Sequence, residues 1–203
     1  MAISIYRLKP AFQDLLRPAV RALHRAGITA NQVTLFACGV SVALGLWLWA
    51  APRSPAWFAL LAPWLFLRMA LNAIDGMLAR EFNQRSRLGA YLNELTDVVS
   101  DAALCLPFAT LAPFDPFWVG AWIFTAALSE MAGVLGQVVG ASRRYDGPFG
   151  KSDRAFAAGA LALAVAAWHP LPAWAAWLLP LAVVLTVLTT VNRVRAGLRE
   201  SGA

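Results

Sequence analysis

Long apolar runs dominate this chain and constrain its fold more than any other feature. Each is close to or longer than the ~17–25 residues that an α-helix needs to cross a bilayer. The runs cover residues 28–50, 54–79, 88–112, 117–140, 154–169 and 172–192. With 60% hydrophobic residues and a mean hydropathy of +0.60, the chain has the composition of a polytopic membrane protein. The sequence therefore predicts an all-α protein with six transmembrane helices.

The segment before the first run is basic and amphipathic. Arg17, Arg21 and Arg25 form a stripe along one side of a helix. Apolar residues recur at helical spacing on another side: Phe12, Leu15, Leu16, Val20 and Leu23. A helix of this kind lies in the membrane interface. We therefore expect an N-terminal cytoplasmic interfacial helix in residues 1–27 and a membrane domain in residues 28–203.

Basic residues predict the orientation in the membrane. They are concentrated in the N-terminal segment, in the second and fourth connections and after the last run; of 17 Lys and Arg residues, only Arg53 and Arg68 lie elsewhere. The positive-inside rule places these regions, including both termini, in the cytoplasm of a bacterial-type inner membrane. Anionic membrane lipids account for the net charge of +6, and no nucleic-acid partner is expected.

Polar residues interrupt the second and third apolar runs at helical spacing. Ionisable residues inside a membrane are costly and usually mark a site. One helix face of the second run carries Arg68, Asn72, Asp75, Gly76 and Ala79. One face of the third run carries Gly89, Asn93, Asp97 and Asp101. A short connection makes the two helices antiparallel neighbours whose polar faces can meet. Carboxylates from two helices near the cytoplasmic surface indicate divalent-metal phosphoryl chemistry.

The spacing of these residues resembles a family signature. Between Asn72 and Asp97 the sequence is similar to the pattern D-x-x-D-G-x-x-A-R-x8-G-x3-D-x3-D of the CDP-alcohol phosphatidyltransferase family. Six positions match: Asp75, Gly76, Ala79, Arg80, Gly89 and Asp97. The first and third aspartates of the pattern are Asn72 and Asn93 in this chain.

This resemblance implies a reaction. In the family an acceptor alcohol attacks the β-phosphorus of a CDP-linked lipid such as CDP-diacylglycerol, and CMP is released. Asp97 corresponds to the general base and to a metal ligand, and Asp75 to a second metal ligand. Mg²⁺ or Mn²⁺ would stabilise charge on the diphosphate. The resemblance also implies a homodimer.

The resemblance further implies which residues contact the nucleotide. Gly76, Ala79 and Gly89 would line the cytidine pocket, and Arg80 would approach the diphosphate. The stretch T-A-N-Q-V-T, which begins the first run, is similar to a stretch that lies near the nucleotide in family members. Asn31 and Thr34 are therefore candidate CDP contacts.

The two asparagines leave alternatives open. Amide oxygens can ligate Mg²⁺, so Asn72 and Asn93 remain candidate ligands, and Glu94 and Asp101 are further candidates that would restore negative charge. Alternatively, Arg68 pairs with Asp101 or with the intramembrane Glu130, or forms a buried ion pair with Asp75 and Asp97, and these residues serve the scaffold. The chain would then be a catalytically weakened protein that binds CDP-lipid or a partner. A small transporter would not explain the six matches.

The fourth connection is the other informative stretch. It reads S-R-R-Y-D-G-P-F-G-K-S-D-R and contains Arg143, Arg144, Lys151 and Arg154. Cations beside a helix start can hold a phosphate. The stretch resembles the basic G-K segment of phosphatidylglycerophosphate synthases, which implies an acceptor such as glycerol 3-phosphate. The alternative is an ordinary basic cytoplasmic connection.

Overall fold

The structure, a computed structural model, describes residues 8–50 and 54–202. All regular elements in these ranges are helical, which confirms the all-α prediction there. The α-helices are α1 (Leu8–Arg25), α2 (Ala30–Ala50), α3 (Leu61–Glu81), α4 (Arg87–Cys105), α5 (Pro116–Val138), α6 (Lys151–Trp168) and α7 (Leu178–Glu200). Short 3-10 segments precede α3, follow α4 and precede α7, at Pro55–Leu60, Leu106–Thr110 and Ala173–Trp177. Residues 1–7 of the predicted interfacial segment, and Arg53, lie outside the described residues.

Two compact units make up the described chain. The first comprises the residues up to Val40 together with Phe66–Asp97, and the second comprises Ser41–Leu65 together with the residues from Val98 onward. The helices α2, α3 and α4 contribute residues to both. The core of the first unit is Val20, Ala30, Val33, Ile74, Met77 and Leu78. The largest buried side chains of the second include Leu48, Phe58, Leu61, Leu104, Phe108, Trp122, Val165 and Leu179.

Four described helical segments, not six, are long and apolar enough to cross a membrane. They are Ala30–Ala50, Pro55–Glu81, Pro116–Val138 and Ala173–Glu200. The predicted spans 88–112 and 154–169 correspond to α4 and α6. Three acidic residues lie within α4, and α6 begins with Lys-Ser-Asp-Arg. These ionisable groups lower the hydropathy of two helices that have only 19 and 18 residues. By length and composition, the predicted count of six spans is therefore wrong.

The helix α1 belongs to the first unit. Val20 is fully buried in its core, whereas Leu15 on another side is 74% exposed. Arg17 donates hydrogen bonds to Glu81 at the end of α3, at 2.6 Å, and to Asp14 one turn earlier, at 3.2 Å. Pro18 lies inside α1 without ending it. One face of this amphipathic helix is therefore packed and another is exposed.

A connection of five residues, 82–86, joins α3 to α4 and brings three helix ends together. Asn83 has a positive φ of 54°, a conformation that asparagine tolerates better than most residues. The Gln84 side-chain carbonyl accepts a hydrogen bond from Ala30 N at the start of α2, at 2.7 Å. Ser86 Oγ accepts one from Gly89 N, at 2.9 Å, in the manner of a helix N-cap. The polar residues of α2, α3 and α4 are thereby held near one another.

Candidate functional site

The polar faces predicted for α3 and α4 meet at Asp97. Its Oδ1 accepts hydrogen bonds from Arg68 Nη2, at 3.0 Å, and from Asn72 Nδ2, at 3.2 Å. Arg68 Nη2 also donates to the backbone carbonyl of Asp97, at 3.2 Å. Arg68 is only 3% exposed. The structure therefore brings Asn72 and Asp97 together, as predicted, and adds a buried guanidinium to them.

Asp75 is a residue of α3 that contacts the start of α2. It is 5% exposed, and its Oδ2 lies 2.7 Å from Thr34 Oγ1. The same hydroxyl lies 3.0 Å from the carbonyl of Ala30, so it donates to one of these two oxygens at a time. The predicted CDP contact Thr34 and the predicted metal ligand Asp75 are therefore direct neighbours. A buried carboxylate is an oxygen donor of the type that a hard cation prefers.

Two glycines of the signature create close approaches. A Cβ on Gly76 would lie 3.1 Å from Arg80 Nη1, so the Arg80 guanidinium folds back over the bare backbone of α3. A Cβ on Gly89 would lie 2.8 Å from Asn31 Oδ1 and 3.0 Å from Ser86 Oγ. The absent side chains leave room for polar groups. Ala79, one turn before the exposed connection, is half-buried.

The signature segment of α3 and α4 supplies oxygen donors of the type that a hard divalent cation prefers. They are the carboxylates of Asp75 and Asp97, the amides of Asn72 and Asn93, and the half-buried Glu94. Within the described ranges, no group of three or more His, Cys, Asp or Glu side chains is arranged to hold a metal. Four carboxylates would need about two divalent ions for neutrality, whereas this set contains three carboxylates, and the Arg68 guanidinium contacts one of them.

A second polar cluster lies in the second unit, around Glu130 of α5. Glu130 Oε1 lies 2.7 Å from Arg154 Nη2 and 3.3 Å from Arg193 Nη1, and Oε2 lies 3.4 Å from Arg143 Nη2. Asp101 Oδ2 is 3.9 Å from Arg154 Nη2. Glu130, Arg154 and Arg193 are 6%, 4% and 2% exposed. Three guanidinium groups are thus held by two carboxylates in a mostly buried place.

One donor of this cluster, on Arg154, is available to an anion. The Nε of Arg154 is buried and has no hydrogen-bond partner among the described residues. The Lys151 ammonium adds a further positive charge, which acts on Glu130 through space. Arg154, Glu130 and Asp101 line one cavity whose other lining side chains are apolar. A buried N–H donor without a partner, beside an excess of positive charge, favours an anionic group.

The structure places Arg144, a predicted acceptor contact, in a different ion pair. Its guanidinium donates to Asp146 at 2.9 Å and 3.1 Å, and also to Glu200 at the end of α7. The hydrogen bond from Arg144 holds the pKa of Asp146 below its usual range. Glu200 also accepts a hydrogen bond from Ser142 N, at 2.9 Å. Arg144 therefore fastens the connection to α7, and Arg143 is the member of this arginine pair that reaches Glu130.

The sequence pattern does not identify Arg193 as a site residue and does not specify the partners of Glu130. Arg193 follows the last predicted span as one of several basic residues, yet it contacts Glu130, and its Nη1 also donates to the carbonyl of Ser129, at 2.5 Å. The signal that could have found it is Glu130 itself, because a carboxylate inside an apolar helix requires a cation nearby. Asp101, a predicted extra metal ligand, is drawn toward Arg154 in the second unit.

Comparisons with known proteins agree with the signature. Residues 27–188 match the sequence profile of the CDP-alcohol phosphatidyltransferases. The chain is 47% identical over 202 residues to inner membrane protein YnbA of Escherichia coli, covering 98% of each protein. It is 26% identical over 195 residues to phosphatidylinositol phosphate synthase of Mycobacterium tuberculosis, covering 92% of this chain and 88% of that protein.

Solved structures of the mycobacterial enzyme are also similar to this fold. The structure with CDP-DAG bound has a TM-score of 0.69 at 25% identity and covers 89% of this chain and 92% of its own. The structure in complex with manganese and citrate has a TM-score of 0.67 at 25% identity and covers 87% of each chain. The likeness thus extends over most of both units.

Proposed function

This chain belongs to the CDP-alcohol phosphatidyltransferase family, and from that premise we propose that it transfers the phosphatidyl group of CDP-diacylglycerol to a phosphorylated acceptor alcohol. The acceptor oxygen forms a bond to the β-phosphorus, and the bond from that phosphorus to the CMP oxygen breaks. The proton of the acceptor hydroxyl passes to a carboxylate, and CMP leaves. The products are a phosphatidyl alcohol phosphate and CMP.

The first unit would bind CDP-diacylglycerol. We assign Asp97 as the general base, because it is the matching aspartate and is oriented by two hydrogen bonds from α3. Gly76, Ala79 and Gly89 would leave space for the cytosine and ribose. Arg80, exposed at the cytoplasmic end of α3, would hold the diphosphate through charge-assisted hydrogen bonds. Asn31 and Thr34 would contact the nucleotide from α2.

A divalent ion, Mg²⁺ or Mn²⁺, would bind at the Asp75 side of this site. Asp75 supplies the carboxylate, with amide oxygens of Asn72 and Asn93 and the Glu94 carboxylate as supplementary donors. When bound, such an ion neutralises charge on the diphosphate and on the leaving CMP. Support comes from the donor set and from the manganese complex of the mycobacterial relative.

The single observation that supports a phosphorylated acceptor is the cluster around Glu130. Arg143, Arg154 and Arg193 surround it, and Lys151 adds charge. A phosphate dianion entering this cluster would satisfy the Arg154 Nε that has no described partner and would share the guanidinium groups with the carboxylate. Glycerol 3-phosphate is the smallest acceptor of this class. An inositol phosphate is the alternative that the names of the mycobacterial relatives suggest.

We also propose an orientation, because the signature residues and the basic connections share one predicted side. Both termini and the site would face the cytoplasm of a bacterial inner membrane, and α1 would lie in the interface with anionic lipids against its basic stripe. The E. coli relative is named an inner membrane protein. A homodimer, typical of the family, is the expected assembly.

A second candidate function is retention of CDP-lipid binding with weak or no transfer. The specific observation in its favour is that Arg68 and Asn72 both donate hydrogen bonds to the proposed base Asp97. Both donors approach the same oxygen, Oδ1, and therefore compete with an acceptor hydroxyl for it. Such a protein would bind CDP-diacylglycerol without releasing CMP.

The deciding experiment measures CMP release from labelled CDP-diacylglycerol by the protein purified in detergent, with Mg²⁺ or Mn²⁺. Four acceptors form two matched pairs: glycerol 3-phosphate with glycerol, and inositol 1-phosphate with inositol. We expect release with one phosphorylated member and at least about 100-fold less with its unphosphorylated counterpart, because each charge-assisted contact is worth about 1.5–3 kcal/mol. Equal rates within a pair would refute the phosphate site. Binding of CDP-diacylglycerol with no release in any condition would favour the second candidate.

A further inference from the structure

Arg68 is a buried cation inside the polar cluster of α3 and α4. It lies one helical turn before Asn72 and is 3% exposed. Asn72 occupies the position of the first aspartate in the family pattern. Its Nη2 contacts both the side chain and the backbone carbonyl of Asp97. We propose that the Arg68 guanidinium replaces one metal ion in this chain, so that the site binds a single divalent cation at Asp75. This inference deepens the proposed function, on which its catalytic meaning depends.

The hydrogen bond between Asn72 and Asp97 explains why an amide stands at position 72. Asn72 Nδ2 lies 3.2 Å from Asp97 Oδ1. Two carboxylate oxygens at this distance would repel each other strongly in a buried place and would need a cation between them. An amide N–H instead donates to Asp97 directly. The side chains of Asn72 and Arg68 therefore donate to Asp97 the hydrogen bonds that take the place of its contact with a second metal ion.

The charge balance favours the same count. Four aspartates carry four negative charges, which two divalent ions neutralise. In this chain two of those four positions are the neutral Asn72 and Asn93, and Arg68 contacts Asp97. Fewer negative charges are therefore present, and Asp97 already has a cation in contact. A second ion would have to displace a guanidinium held at 3.0 Å from Asp97 in a mostly buried environment, where removing the partner of a charge is strongly unfavourable.

Calorimetric titration of the purified protein with MnCl₂, without lipid substrate, tests the inference. We expect one Mn²⁺ per chain for the native protein. Two Mn²⁺ of similar affinity, or none, would overturn it. The Arg68→Gln variant should bind its single Mn²⁺ about tenfold or more tightly, because a nearby positive charge is removed. If Arg68 only supports the fold, this affinity should stay the same or weaken, and that result would also count against the inference.

Restoring the aspartates gives a second, independent measurement. The Asn72→Asp/Asn93→Asp variant, which keeps Arg68, should still bind one Mn²⁺, with higher affinity. Adding Arg68→Gln to this pair should raise the count to two. The matched control adds Arg195→Gln instead, which removes one exposed arginine of α7 and should leave the count at one. A folded triple variant that still binds one ion would refute the exchange of guanidinium for metal.

The outcomes for metal count and for activity are separable. A native protein that binds one Mn²⁺ but releases no CMP with any acceptor would contradict the proposed function and leave the role of Arg68 intact. Release of CMP by a protein that binds two Mn²⁺ would support the proposed function and contradict the role of Arg68. Should the triple variant fail to fold, the native count and the Arg68→Gln affinity still decide the question.

Discussion

Replacing Glu130 by glutamine tests the cation cluster of the second unit. The substitution keeps the shape of the side chain but removes a carboxylate that contacts all three of Arg143, Arg154 and Arg193. Asp101, at 3.9 Å from Arg154, remains as a carboxylate partner. The arginines then repel one another in a buried environment, so the folded state should lose stability.

The contact distances and burial set the magnitude. Breaking a buried ion pair by removing one partner costs about 3–5 kcal/mol. Glutamine retains an amide oxygen that can still accept from Arg154, so we expect a loss near the lower end, about 3 kcal/mol. For a chain of this size, that corresponds to a fall in Tm of roughly 6–12 °C.

Inorganic phosphate should rescue the variant selectively. Because the cluster lacks a negative charge in Glu130→Gln, a phosphate ion can take the place of the carboxylate and stabilise the folded state by binding it. A thermal-shift assay in detergent, with and without phosphate at matched ionic strength, measures both effects. Phosphate should raise the Tm of the variant more than that of the native protein.

The matched control is Glu200→Gln, which removes a carboxylate from the same unit. Its side chain is 41% exposed and pairs with Arg144, so the Tm should fall much less than in Glu130→Gln because solvent screens an exposed pair, and phosphate should give no extra rescue. A Tm of Glu130→Gln within about 2 °C of the native value would refute the buried-network reasoning. Equal phosphate effects in the native protein and both variants would refute an anion site at this cluster.

Three further predictions concern catalysis, acceptor binding and packing. Asp97→Asn should abolish CMP release while CDP-diacylglycerol binding, measured by equilibrium binding, changes little, because an amide cannot accept the proton; normal turnover would remove Asp97 from the mechanism. Lys151→Gln should raise the KM for the phosphorylated acceptor about 10- to 100-fold and leave that for CDP-diacylglycerol nearly unchanged; parallel increases would assign Lys151 a structural role. Gly45→Ala should lower the Tm, since its Cβ would clash with the backbone carbonyl of Ala103, whereas Gly39→Ala on the same helix, with open space around it, should not; similar Tm values would contradict that close approach.

Local sequence pattern was sufficient for the helical class and for the core of the site. Apolar periodicity and length predicted helices that the structure contains, and the fixed spacing of the signature indicated the family. Helical periodicity also placed Asn72 on the polar face of one helix and Asp97 on the polar face of the next. A connection of five residues is short enough that the two helices run antiparallel beside each other. Hydropathy alone overcounts the spans, because the three acidic residues within α4 and the charged residues at the start of α6 make these two helices less apolar than a spanning helix.

Only the tertiary structure decided which charged groups pair. The sequence allowed several carboxylates as partners of Arg68, and in the structure it forms an ion pair with Asp97. The contact of Glu130 with Arg193 joins residues on α5 and α7, which pack against each other. Such pairings depend on how far one helix is shifted along and rotated against its neighbour. Apolar periodicity specifies which face of a helix is buried but not that offset, so the partners of a buried charge become known only when the helices are packed.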